Sequence, residues 1–138
     1  MATGYDSAET GKFTTFTPGL LRESMTRLEG ICTVATVNED GTANAGIFIP
    51  MMPDEDHVVI TMARNRTREN ITRTTDCVIT YTVLNPEASS KMERYKGARL
   101  RLQLMTAQDE GYAEVAASWP QMNMYTMVFK ITEYMQIG

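Results

Sequence analysis

Histidine is almost missing from this 138-residue sequence, which contains one, His57. Any Ser-His-Asp or Cys-His arrangement would have to run through that residue. No serine or cysteine lies in a nucleophile-elbow context, so a hydrolase is a poor fit. His57 directly follows the acidic turn "PDED" and reads as a partly exposed residue at a strand end. Cysteine is nearly as scarce: Cys32 and Cys77 are far apart, each inside a strand-like segment where a free thiol packs as a small apolar group. Neither CxxC nor HxxxH occurs, and Asp40, Asp54, Glu55 and Asp56 fall in two separate turns that suit solvated carboxylates, so no metal is assigned.

Other absences narrow the class further. There is no GxGxxG and no GxxxxGK[ST], the two commonest glycine-loop phosphate sites. No stretch approaches the roughly 18 apolar residues of a membrane span, and the start of the chain has no basic residues leading into an apolar run. The expectation is a cytoplasmic protein without membrane contact. A net charge of −4 repels nucleic acid, so any anion site has to rest on a local cluster.

The residues that are present describe an ordinary globular chain, 43% hydrophobic and 22% charged, with nine glycines and five prolines. Residues 1–16 read as a flexible polar tail, and 17–138 as a single domain. "TPGLLRESMTRLEG" carries helix punctuation, with Thr17 as N-cap, Pro18 at the first helical position and Gly30 past the end; Leu21, Met25 and Leu28 share one face. "ICTVATV", "TANAGIFIPM" and "HVVITMA" are β-branched runs parted by "NEDG" and "PDED", which predicts a three-stranded antiparallel meander. Further strands are expected in "CVITYTVLN", "RYKGARLRLQLM" and "YTMVFKITEYMQI", and a helix in "AQDEGYAEVAASW" with Gly111 as a blemish. The order α-β-β-β-α-β-β-α-β, with short hairpin-like connections, argues for a mainly β, six-stranded antiparallel barrel, Greek-key-like and closed, with helices across it.

One segment asks for a ligand. "ARNRTRENI" puts Arg64, Arg66 and Arg68 where an apolar strand stops and a polar helix begins, with Asn65 or Thr67 as N-cap. The guanidinium of Arg66, the hydroxyl of Thr67 and the open amides of a helix N-terminus could converge on one dianion. By spacing alone the segment is equally a solvated helix start.

The helix, the hairpin with its "DG" turn, the next strand pair and the step Arg66-Thr67-Arg68-Glu69-Asn70-Ile71 together resemble the FMN-binding split-barrel family, which includes pyridoxamine 5′-phosphate oxidase and small bacterial FMN-binding proteins. The likeness covers about residues 18–134 and is closest in character to the small proteins. It implies a homodimer of split barrels with FMN in a groove at the interface. Arg66 and Thr67 would grip the phosphate, with Asn70 in support; Thr61, Met62 and Ala63 would run past the ribityl chain and flavin edge, and Gly46, Ile47 and Phe48 would lie against the ring. Trp119, like Tyr125, either reaches the partner's flavin or caps the barrel. Relatives often carry Lys where this chain has Arg66, and the oxidases have a longer C-terminal segment with a substrate-gripping Arg and His. No histidine follows His57 here, which argues against the oxidase reaction.

The function implied is redox: FMN takes up electrons from NAD(P)H or a redox partner protein and passes them on. Two alternatives are an FMN- or deazaflavin-dependent oxidoreductase acting on a small substrate, and a barrel that stores flavin or serves without it as an interaction module.

Overall fold

The structure, a computed structural model, describes residues 13–138. Its strands are β1 (Thr14–Thr15), β2 (Ile31–Val37), β3 (Ala43–Phe48), β4 (Met51–Asp54), β5 (His57–Thr61), β6 (Asp76–Leu84), β7 (Tyr95–Leu104) and β8 (Thr126–Met135). The helices are α1 (Pro18–Thr26), α2 (Arg66–Thr74), α3 (Lys91–Arg94) and α4 (Tyr112–Ser118). One sheet runs in the order β3-β2-β6-β7-β8-β5-β4, antiparallel throughout, with β1 added in parallel beside β7. The fold class is as expected, mainly β and of split-barrel type.

Several details differ from expectation. The predicted meander does not form. The run "TANAGIFIPM" breaks at Ile49-Pro50 into β3 and β4, because proline cannot donate to a ladder. β3 then pairs with β2, and β4 with β5, at opposite ends of the sheet. No ladder joins β3 to β4, so the barrel is curled rather than closed, and counting β1 the sheet has eight strands. The short helix α3 spans the end of "PEASSKME", where a connection was expected, and takes in Arg94, the first residue of the expected strand "RYKGARLRLQLM".

Of the tail expected over residues 1–16, residues 1–12 lie outside the described residues, and Thr14 and Thr15 form β1 instead. Thr14 and Thr15 pair with Lys96 and Gly97, and the Phe16 amide bonds the Gly97 carbonyl at 2.8 Å. Tyr134 then donates its hydroxyl to the Phe16 carbonyl at 2.7 Å.

Helix α1 begins as its punctuation predicts, with Thr17 as N-cap and Pro18 in the first turn, and Leu21 and Met25 bury fully. It ends earlier than Gly30. Arg27 is the C-cap, and Leu28 adopts a left-handed φ of 56° that turns its side chain out to solvent. Gly30 serves packing instead: a Cβ there would sit 2.4 Å from the Thr82 carbonyl oxygen of β6. Gly111 likewise precedes α4 as its N-cap, at φ 85°, rather than interrupting it.

The main core lies inside the curl, where Val34, Ile60, Ile71, Ile79, Tyr81, Leu100, Leu102, Phe129 and Ile131 pack with Leu21 and Met25. Cys32 and Cys77 are buried in it as free thiols. A second cluster, Val59, Met105, Val115 and Val128 with Trp119, Tyr112, Met51 and Met122 against it, holds α4 to the outer side of β5 and β8. Among the described residues no helix is long and apolar enough to cross a membrane.

Candidate functional site at the start of helix α2

Helix α2 starts where β5 runs out. Asn65 is the N-cap, and its side-chain oxygen accepts from the Arg68 amide at 2.8 Å. That bond satisfies one donor of the first turn and leaves the amides of Arg66 and Thr67 to point out of the helix end. Thr67, Asn70 and Ile71 face the sheet, because a spacing of three and four places them on one side.

The buried side of α2 is held by a polar network rather than by apolar contact alone. Asn44 of β3 donates to the hydroxyls of Thr67 at 3.1 Å and of Thr36 at 3.2 Å. Asn70, only 3% exposed, donates to Thr36 at 3.0 Å and to Asn38 at 2.9 Å, and its oxygen accepts from Arg73 at 3.1 Å. Both amide protons of Asn70 are thus spent on fixing α2 to β2 and the residue that follows it. Strand register decides the rest. Gly46 and Phe48 lie on the side of β3 that faces inward, and a Cβ at Gly46 would come 3.1 Å from the Thr67 hydroxyl and 3.0 Å from the Phe48 ring. Ile47 points the other way and is 66% exposed.

The arginines divide by environment. Arg66 is exposed and lines a polar cleft of about 320 Å³ with Arg73, Asn38, Thr42, Glu39, Asp40, Glu69 and Asn70. Within it, the hydroxyl and amide of Thr42, with a smaller contribution from the charge of Arg66, hold the Asp40 carboxyl below its usual range. Arg68 is half-buried, and its Nη1 donates to the carbonyls of Met62 at 3.0 Å and Tyr125 at 3.1 Å. Arg64 lies exposed on the same side of α2 as Arg68.

Of the residues singled out in the sequence, Gly46, Arg66, Thr67 and Asn70 come together. From the strand leading in, Thr61 bonds Thr126 across to β8 at 3.0 Å, Met62 sits in the core, and Ala63 is exposed beside the helix start. Trp119 is elsewhere in the subunit, lining a separate cleft with Arg22, Met51 and Met52. Asn44 was missed. A lone asparagine in a strand gives no sequence signal, and only the pairing of Thr36 with Asn44 across β2 and β3 brings it under α2.

The acidic turns use their own carboxylates. Asp54 accepts from His57 Nδ1 at 2.9 Å and from the Asp56 amide at 2.8 Å, and His57 keeps 19% of its side chain exposed. Asp40 accepts from the Thr42 amide at 3.0 Å.

No protein-family model matches the chain, and no curated protein matches it by sequence. Solved structures do. An FMN-binding protein from Syntrophomonas wolfei superposes with a TM-score of 0.59 at 17% identity, over 86% of this chain and 85% of its own. The heme storage protein HutZ from Vibrio cholerae gives 0.57 at 13% identity, over 87% and 91%. A candidate pyridoxamine 5′-phosphate oxidase from Lactobacillus delbrueckii gives 0.55 at 17% identity, over 94% and 98%. With this strand order and these likenesses, the chain has the split-barrel fold on which those proteins are built.

Proposed function

We propose that the chain is an FMN-binding flavoprotein with an electron-transfer role, its flavin held in a groove completed by a second copy of the chain. The observation that carries this reading is the cradle at the start of α2. The Arg66 and Thr67 amides are left open by the Asn65 cap, and the Thr67 hydroxyl already accepts from Asn44, so its own proton is left to donate elsewhere. Gly46 keeps the floor of this corner clear, since a Cβ there would crowd the hydroxyl. A phosphate monoester fits that donor set, with the helix dipole adding favourable potential and Arg66 the compensating charge.

The other residues follow from this anchor. The Met62 side chain is committed to the core, so the approach to α2 offers a ribityl chain backbone and the small side chain of Ala63. Asn70 supports the cradle through Thr36 and Asn38 without touching the ligand. Trp119 lies in the second cluster and joins the site only from the second copy. FMN, when bound, supplies the one- and two-electron chemistry; the chain binds it, orients it and excludes water. Electrons come from NAD(P)H or a redox partner protein. Two buried thiols, both free, suit a reducing compartment such as the cytoplasm.

The second copy is expected on the outer face of β2 and β3. Thr33 lies opposite Ile47, Ala35 opposite Ala45 and Val37 opposite Ala43, with Ile31 and Ile49 at the end of the same face. Ile47 and Ile49, 66% and 56% exposed, make this a flat apolar surface next to the cradle.

The likeness to a heme storage protein supports a second reading, heme binding. The sole histidine, His57, bonds Asp54 through Nδ1 in the β4–β5 turn, which leaves Nε2 as the ring nitrogen that would serve a heme iron. An absorption spectrum after incubation with each cofactor separates the two. Saturable FMN binding that is much weaker for riboflavin, which lacks the phosphate, is the expected result. A Soret band with no flavin uptake would replace the flavin reading with the heme one, and uptake of neither would leave the interaction module. NADPH-driven turnover of the bound flavin on a small acceptor would favour the dedicated oxidoreductase.

A further inference from the structure

Helix α2 carries three threonines, and their hydroxyls are used in two ways. Thr72 and Thr74 each donate to the carbonyl four residues back, that of Arg68 at 2.9 Å and that of Asn70 at 3.0 Å. Thr67 stands in the first turn, and the residue four back from it, Ala63, precedes the helix. Its hydroxyl makes a single bond, as the acceptor from Asn44 Nδ2 at 3.1 Å, so its proton has no acceptor among the described residues. Thr67 is only 5% exposed, which leaves water little access to that proton. A nearly buried donor without an acceptor is unfavourable until something supplies one.

The surroundings say where that acceptor can come from. Cys32, Val34 and Thr36, the inward residues of β2, are buried, whereas Asn44, Gly46 and Phe48, the inward residues of β3, are only half-buried. The corner between β3 and the start of α2 is therefore the open part of the polar network, and Gly46 keeps it clear beside the Thr67 hydroxyl. The amide nitrogen of Asn44 carries two hydrogens, of which one goes to Thr67 and the other to the Thr36 hydroxyl at 3.2 Å. Thr36 also accepts from Asn70 at 3.0 Å, and Asn70 keeps its amide in that sense because its oxygen takes Arg73, which only donates. Donation from Asn44 turns the Thr67 proton away from the Asn44 side chain. It also makes the hydroxyl a stronger donor, since hydrogen bonds in a chain polarise one another.

We propose that Asn44 determines the specificity of the α2 cradle: by donating to Thr67 it directs the hydroxyl proton at the ligand, and so sets the preference for a phosphate monoester over the corresponding uncharged alcohol. This role rests on the flavin reading, in which the phosphate meets the same helix end. Asn44 acts through Thr67 and is a positioning residue. A phosphate dianion brings only acceptors, so it gains from a hydroxyl that is held as a donor and is repelled by one that presents its lone pairs. Riboflavin ends instead in a hydroxyl, which donates or accepts as the site requires, and its affinity does not depend on which way Thr67 is turned. A carboxylate at position 44 reverses the sense, because it can only accept and draws the Thr67 proton to itself.

The ratio of FMN affinity to riboflavin affinity is the measurement, taken by flavin fluorescence on the full chain in wild type, Thr67→Val, Asn44→Asp, Asn44→Leu and the two double variants. Asn44→Asp should cut the ratio about tenfold or more, while the fold is kept by bonds from the Thr36 and Thr67 hydroxyls to the new carboxylate. In the Thr67→Val background the same change should cut it by no more than about threefold, since only charge repulsion is left to act. Asn44→Leu keeps the size and adds no charge; it should cut the ratio about threefold with the Thr67 hydroxyl present and leave it unchanged in its absence. Equal losses of FMN and riboflavin, in step with the melting temperature, would make Asn44 a structural anchor and overturn the proposal. So would an Asn44→Asp loss undiminished by Thr67→Val, which marks repulsion alone. A wild-type ratio near one would remove the phosphate cradle of the flavin reading, and the role of Asn44 with it.

Discussion

Arg66 and Arg68 are two residues apart and chemically identical, yet their surroundings make them answer differently to substitution. Arg66 has open cleft around it and no protein bond that folding needs. Arg68 ties the end of β5 to the start of β8 through the Met62 and Tyr125 carbonyls. Arg66→Ala is expected to cost FMN affinity by tenfold to a hundredfold, from the loss of a charge-assisted contact of roughly 1.5–3 kcal/mol, with riboflavin affinity and thermal stability barely changed. Arg68→Ala should instead lower the melting temperature, because two carbonyls lose their donor. Titration by flavin fluorescence beside thermal melts separates the two, and equal losses for FMN and riboflavin in Arg66→Ala would remove the phosphate cradle. The cysteines give a second expectation at this scale. Burial pushes both thiols up to about 12, so neither forms a thiolate near neutral pH. Ellman's reagent should titrate Cys32 and Cys77 only after denaturant is added; fast labelling of the native chain would contradict their place in the core.

At the scale of the element, the chain's start signals were plainer than its stops. Thr17-Pro18 opens α1 as written, because both residues act locally on their own turn. Its end depended on β6, where the close approach of the Thr82 carbonyl claims Gly30, and no local rule contains that neighbour. The same distinction explains the missed meander. Ile49-Pro50 marks a break legibly, but which strands pair after it is decided by the curl of the whole sheet. Near the candidate site, the helix start at Arg66 and Thr67 was legible from the end of the apolar strand, whereas the place of Asn44 was not, since its partners are brought to it by β2–β3 register. Gly30→Ala is expected to destabilise by about 1–3 kcal/mol through overpacking against backbone, measurable as a lower urea midpoint with an unchanged slope.

The β4–β5 turn carries a pH dependence. Burial tends to raise the Asp54 carboxyl, but the hydrogen bonds from His57 and from the Asp56 amide outweigh it and hold it below its ordinary value. A carboxyl depressed in the folded state stabilises above its unfolded value and ceases to do so as pH falls through its folded one. Asp54→Asn should therefore melt below wild type at pH 7, and the gap should close as the medium is taken into the acid range. A gap that widens in acid would show that the turn is not held by this carboxylate.

For the molecule as a whole, the outer face of β2 and β3 is where the proposed dimer would form. If two copies meet there, Ile47→Asp places a charge at the centre of the contact and should shift sedimentation equilibrium from dimer to monomer. FMN affinity should fall with it, although residue 47 points away from Thr67. An unchanged sedimentation profile would move the contact elsewhere.

Strand β3 has no neutral side. Its even-numbered residues, Asn44, Gly46 and Phe48, answer to α2 and the core, and its odd-numbered ones, Ala43, Ala45 and Ile47, to the outer face. Its tolerance to change should therefore be graded by the kind of lesion rather than by position. A substitution disturbs one side and leaves the other serviceable. Inserting or deleting a single residue in the Asn38–Thr42 turn would exchange the two sides, putting isoleucine under the helix and asparagine on the apolar surface in one step. In a library covering this segment, point variants should survive on either side of the strand, while single-residue length variants should vanish altogether.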